Sequence, residues 1–310
     1  MDVLSHASPG PIIVGVEHSE RSRDALALAR TLARAVGTRL ILVAVYPSDA
    51  RLGSVPLRAR STAPDDEAQA ALEWVVRPLA GVRAELRTVP CTSVSRGLQA
   101  VAAEENALAI VVGPSHRGAL GRIVPGAVGT RLLHGAPCPV AVAPSGYWGA
   151  GQPPIRRIGV GYEGSPESAE ALAAAVGLAT CTGATGRVLS VVEPITASAA
   201  VPFGVGYFEQ EETTRANLAQ TLRHAIDGVA GPVELSGDVI EGYADDELAR
   251  LSGEVDLLVC GSRAHGPLGG VMLGSVSAGV LRKAHGPVLL MPRGARDGFA
   301  ALGTRTPAAA

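Results

Sequence analysis

Leu257–Met291 reads LLVCGSRAHGPLGGVMLGSVSAGVLRKAHGPVLLM. It opens with Leu257–Cys260, an apolar run too short for a helix and stopped by Gly261, which marks a buried strand. A glycine-bearing loop follows. Gly274-Ser275 then starts a helix: Val276, Val280 and Ala284 recur at helical spacing, Ser275 is placed to cap the first free amides, and Gly286-Pro287 supplies the stop. A second apolar strand, Val288–Met291, comes at once. Such a loop gathers unpaired N–H groups and the positive end of a helix dipole, which suits an anion such as phosphate. Turn-shaping alone would also account for Gly261, Gly266, Gly269, Gly270 and Gly274, so context has to decide.

That context is a repeat. Ile13–Ser22, IVGVEHSERS, returns as Gly159–Ser168, GVGYEGSPES, and Ile110–Gly118, IVVGPSHRG, returns as Leu258–Gly266, LVCGSRAHG. The first pair aligns Glu17 with Glu163 and Ser19 with Ser165. Each copy opens with a strand, Ile12–Val16 or Ile158–Tyr162, and Ser19 and Ser165 fall at N-cap positions before helical apolar spacing. Second strands at Leu40–Tyr46 and Arg187–Val192 end before Pro47 and Pro194. Unpatterned segments, 48–64 and 195–207, read as surface loops. Helices near 65–79 and 209–226, strands near 84–89 and 233–240, and helices near 95–104 and 245–251 complete each copy.

Alternation at these lengths predicts an α/β protein: two tandem doubly wound parallel-sheet domains, each of about five strands with helices on both faces. The expected division is 1–146, a linker at 147–154, 155–293, and a flexible tail at 294–310. In such sheets ligands sit beyond the carboxyl ends of the strands, where Glu163 and the Gly261 loop both belong.

Composition narrows the functions. Nearly half of the 310 residues are hydrophobic but only 3% are aromatic, so the core is built from Ala, Val, Leu and Ile. A net charge of -2 without a basic run argues against nucleic-acid or membrane-surface binding. No basic-then-apolar leader and no long apolar span appear, so a cytoplasmic protein is expected. Cys91, Cys138, Cys181 and Cys260 show no ligand spacing, and reduced buried thiols are the expectation. No G-x-S-x-G elbow and no GK[ST] is present, and no nucleophile–base pair recurs in both copies. His134 and His285 sit at predicted helix ends, where the dipole suits imidazole, and Asp245-Asp246 opens a helix, a capping place that also offers carboxylates to a magnesium ion.

The VG-x-E-x-S opening and the late glycine loop together resemble the universal stress protein family, over almost the whole chain as two copies. The family's nucleotide-binding members carry Gly, two residues, Gly, nine residues, then Gly with Ser or Thr. The second copy has Gly261, Ala264 and Gly274-Ser275, departing once; the first has Gly113, His116 and Gly126-Ala127, departing twice. The resemblance implies an adenine nucleotide alpha hydrolase-like, Rossmann-like fold and ATP, with or without Mg2+, as the ligand. Glu163, with Gly164 and Ser165 beside it, would hold the adenine and ribose end, and Val192 would contact adenine. Gly261, Arg263, Ala264, His265, Gly266, Gly274, Ser275, Val276 and Ser277 would cradle the phosphates. A weaker first site would use Glu17, Val45, Gly113, Ser115, Gly118, Gly126 and Ala127.

Physical terms rank the second site higher. If residues 264 and 116 adopt a left-handed backbone, a side chain there costs about 1–2 kcal/mol, and His116 adds bulk. Ala127 lacks a capping hydroxyl, worth about 1 kcal/mol, and Pro114 has no N–H. The expectation is an adenine-nucleotide-binding regulatory, stress-response protein that uses mainly its second copy. A nucleotide-independent interaction module and a slow ATPase stay open beside it. The apolar final strands, Pro139–Ala143 and Val288–Met291, are expected to pair, within one chain or in a homodimer, and a protein partner is expected but not identified.

Overall fold

A computed structural model describes residues 9–47, 64–76, 84–114, 127–151, 153–194, 206–262, 274–296 and 298–303. The first half runs β1 (Ile12–Gly15), α1 (Glu20–Val36), β2 (Leu40–Tyr46), α2 (Pro64–Val76), β3 (Ala84–Pro90), α3 (Val94–Glu104), β4 (Ala109–Val112), α4 (Ala127–Leu133) and β5 (Val140–Val142). The second half repeats this as β6 (Arg157–Gly161), α5 (Pro166–Thr182), β7 (Thr185–Val192), α6 (Gly206–Asp227), β8 (Leu235–Glu241), α7 (Ala244–Ser252), β9 (Leu257–Ser262), α8 (Ser275–Lys283) and β10 (Val288–Pro292). The two connections read as surface loops fall almost wholly outside the described residues.

All ten strands form one sheet in the order β3-β2-β1-β4-β5-β10-β9-β6-β7-β8. Every neighbouring pair is parallel except β5 and β10, which run antiparallel with Val142 opposite Val288 and Val140 opposite Leu290. Each half is thus a parallel, doubly wound unit, and the two final strands join them. Central strands such as β4 (AIVV) and β10 (VLLMP) are buried along their whole length because helices cover both faces, which is why they lack polar alternation. Edge strands β3 and β8 instead expose charged positions.

Two apolar clusters lie on opposite faces of this sheet. One takes in α1, α2, α5 and α6, the other α3, α4, α7 and α8, and each draws residues from both halves. Helix α1 packs against α5 as well as the sheet, so Ala25–Ala29 is buried without a break. Alanines on α5, including Ala171, Ala174 and Ala175, permit that approach. Each fully buried Leu or Ile here contributes about 1.5–3 kcal/mol.

The connection read as a linker is strapped down. Tyr147–Ala150 forms a 3-10 turn, and buried Asp24 of α1 accepts the N–H groups of Gly146 (3.0 Å) and Trp148 (2.9 Å). The flexible-tail expectation for 294–310 needs correction over its described part. Phe299 is fully buried, and its carbonyl lies so close to Gly177 of α5 that no Cβ fits there. Arg296 donates its N–H to the Pro137 carbonyl and its guanidinium to Asn106. One aromatic ring and two polar contacts hold a segment whose small residues gave no periodic signal.

Candidate functional site

The turns after β1 and β6 are built alike. Ser165 caps α5, accepting the Ser168 N–H at 3.2 Å, with Pro166 in the first turn. Its hydroxyl also donates to the Glu163 carboxylate at 2.8 Å. Ser19 sits at the N-cap of α1 with no side-chain capping bond; its hydroxyl goes to Glu17 instead (2.8 Å). The two acids then differ. Arg21 brings Nε (3.0 Å) and Nη2 (2.8 Å) to one oxygen of Glu17. The aligned residue in the second half is Glu167, an acid where the first half has Arg21.

At the carboxyl end of β9, Gly261 lies against the backbone of Glu167; a Cβ would come within 2.6 Å of its carbonyl. Gly113 meets the backbone of Arg21 in the same way. These glycines are required by helix–strand contact, whatever else the loops do. Helix α8 begins one residue earlier than the capping expectation: Gly274 is the N-cap and Ser275 the first helical residue, exposed, with no side-chain cap. Ser277 is buried, and its hydroxyl donates to the Gly261 carbonyl (3.2 Å), bracing strand end to helix start. The position 148 residues earlier is Gly129, which lacks that brace.

These groups surround a cavity of about 470 Å³ at the carboxyl ends of β6, β7 and β9. Glu163, Val192, Gly261, Gly274, Ser275, Val276 and Ser277 all line it, so the structure gathers the described part of the second expected site. Ser165 is tied to Glu163 at its edge, and Gly164 turns the chain with φ of 84°. Arg263, Ala264, His265 and Gly266 lie outside the described residues, as do Ser115, Gly118 and Gly126 of the first site and the Ala127 side chain. Among the described lining residues the charged ones, Glu163 and Glu193, are both acidic. Glu193 carries no sequence signal because it follows the end of β7 outside any motif; it accepts the Ala244 N–H at 3.3 Å. Another cleft, about 510 Å³, lies at the opposite, amino-terminal ends of the strands, where Arg187 already pairs with Asp238 and Glu254.

The acidic pair at α7 is engaged: Lys283 of α8 reaches Asp245 at 2.7 Å and Asp246 at 2.8 Å, and those bonds raise the lysine's pKa. Among the described residues no group of three or more metal-ligating side chains comes together. Cys260 sits in the cavity wall, and burial pushes its thiol up to about 12. It stays protonated at neutral pH, which removes the thiolate needed for redox chemistry. The four cysteines form no disulfide, but the buried-thiol expectation holds only for Cys138 and Cys260; Cys91 is half-buried, and Cys181 is exposed near the end of α5. His134 bonds the Thr130 carbonyl at 2.7 Å at the end of α4.

The free N–H groups of the first turn of α8, an exposed serine hydroxyl and a carboxylate across the cavity fit a ligand with an anionic end and a hydroxyl-bearing end.

Comparison with known proteins agrees with this architecture. The universal stress protein family matches residues 10–144 and again 154–292, so the chain belongs to that family, as a tandem pair of its domains. A universal stress protein of Mycolicibacterium smegmatis is 33% identical over 199 residues, covering 64% of this chain and 66% of its own length. Three other mycobacterial relatives are matched over 47% of theirs, so the chain spans about half to two thirds of the length of these relatives. A universal stress protein of Mycobacterium bovis is 27% identical over 299 residues, 91% of this chain and 99% of its own. The crystal structure of a universal stress protein from Archaeoglobus fulgidus superposes with a TM-score of 0.61 at 19% identity, covering 92% of this chain and 98% of that one, which supports the fold. No helix among the described residues is long and apolar enough to cross a membrane.

Proposed function

We propose that this chain is an adenine-nucleotide-binding regulatory protein of the stress response, which holds ATP or a related nucleotide in its second half. The observation that carries the reading is one cavity shared by Glu163, Val192, Gly261 and the amino end of α8 at Gly274 and Ser275. Helix amides and the Ser275 hydroxyl would take the phosphates, the apolar end of β7 the base, and Glu163 the ribose hydroxyls. Mg2+, if it accompanies ATP, would be held mainly by the phosphates, since Lys283 occupies Asp245 and Asp246.

The first half serves as scaffold in this reading. Arg21 occupies Glu17, and Gly129 has no hydroxyl to match that of Ser277. The β5–β10 pairing lets the two halves act as each other's partner, so a second copy of the chain is not needed to cover either strand. Isothermal calorimetry of the full chain with ATP tests the reading. One site is expected, abolished by Gly274→Asp and kept in Gly126→Asp.

A further inference from the structure

We propose that Arg293 recognises the terminal phosphate of a nucleotide in the second-half cavity, with Glu167 as the residue that positions it. The proposal rests on the nucleotide reading above and adds a cation from outside the glycine loop, which itself carries Arg263.

Strand register places it. Met291 pairs with Gly261 and Pro292 with Ser262, so Arg293 is the first residue past the paired strand ends, beside the point where β9 gives way to the glycine loop. Gly294, with φ of 74°, and the Ala295 N–H donated to the Pro292 carbonyl (3.0 Å) close a tight turn that fixes the Arg293 backbone there. From this turn the Arg293 Nε approaches Glu167 Oε1 at 3.5 Å. The backbone and Cβ of Glu167 lie against Gly261, so the residue that meets the guanidinium is anchored at the strand end.

Burial separates the roles. The Glu167 side chain is 13% exposed and the Arg293 side chain 66%, so the carboxylate is set in the fold while most of the guanidinium's five donors face solvent. A planar fork held at one nitrogen keeps its other N–H groups for a phosphate. The need is electrostatic. The charged lining residues described, Glu163 and Glu193, repel a polyphosphate, and Lys283 is committed to two aspartates. The first half shows the same device dismantled: Ser145 stands where the second half has Arg293, and Arg21, aligned with Glu167, is spent on Glu17.

Calorimetry on the full chain, titrated with ATP, ADP and AMP, tests the arm. Wild type should prefer ATP to AMP. Arg293→Ala should lose about tenfold in ATP affinity with AMP nearly unchanged, and Arg293→Lys should recover part of the loss. Unchanged ATP affinity in Arg293→Ala overturns the proposal while leaving the nucleotide reading intact. So does an equal loss for ATP and AMP. Restored ATP affinity in Glu167→Gln/Arg293→Ala also overturns it, because Arg293 would then only neutralise Glu167. A wild type that binds no adenine nucleotide sinks the reading and the arm together. Far-ultraviolet circular dichroism confirms that each variant is folded.

Discussion

The Ser277 hydroxyl donates to the Gly261 carbonyl at 3.2 Å, linking the first turn of α8 to the end of β9 across the root of the glycine loop. The two residues are sixteen positions apart in the chain, and the bond ties strand end to helix start.

Ser277→Ala removes the donor and leaves a carbonyl in a tight place without that partner, a loss of about 1 kcal/mol. ATP affinity should fall about fivefold, with a small drop in melting temperature. Calorimetry showing full affinity would assign Ser277 to stability alone. Installing the hydroxyl in the first half, as Gly129→Ser, should not create a site, because Arg21 still holds Glu17.

Phe299 and Gly177 make a second test, away from the site. Phe299→Ala should cost about 3–5 kcal/mol, as for other fully buried rings. Gly177→Ala should be comparably harmful, because its Cβ would collide with the Phe299 carbonyl. Either variant should make the carboxyl-terminal segment cleavable by trypsin at Arg296 under native conditions. Unaltered melting curves would contradict this packing of Phe299 on Gly177.

Asp24 predicts a pH dependence. Burial raises its pKa above 3.8 against the pull of the Trp148 and Gly146 N–H groups. A raised folded-state value means that its contribution is fully present below the unfolded pKa and is lost as pH rises through the folded one. Wild type should therefore gain stability relative to Asp24→Asn as pH falls from 7 towards 4. A gap moving the other way in chemical denaturation would show that the two amides outweigh burial.

Thiol reactivity should follow exposure. Burial pushes Cys138 and Cys260 both up to about 12, whereas Cys181 is exposed. Iodoacetamide at pH 8 should modify Cys181 first and leave Cys260 intact, as peptide mass spectrometry would read. Early labelling of Cys260 would mean that the cavity wall opens.

Much of the fold was legible because the chain states it twice. The run of β-branched and aliphatic residues that ends at Pro47 predicts a strand at Leu40–Tyr46, the observed span of β2. Buried strands such as β9 announce themselves by unbroken apolar sequence. The cap positions were less legible. Ser19 and Ser165 align, yet only Ser165 caps, because Arg21 and Pro166 change what each turn offers. The Ser277–Gly129 difference was visible at the repeat offset but carried no meaning until the Gly261 carbonyl was seen to receive the bond. Arg293 and Phe299 were hidden for a different reason. Their roles come from contacts with α5, more than 100 residues earlier, which no local pattern encodes.

The central claim is that the second half, by way of the amino end of α8, binds adenine nucleotide. Isothermal titration of ATP into the full chain and into Gly274→Asp tests it most directly. The account predicts one saturable site in the wild type and none in the variant. Equal binding in both, or no binding in the wild type, would contradict it.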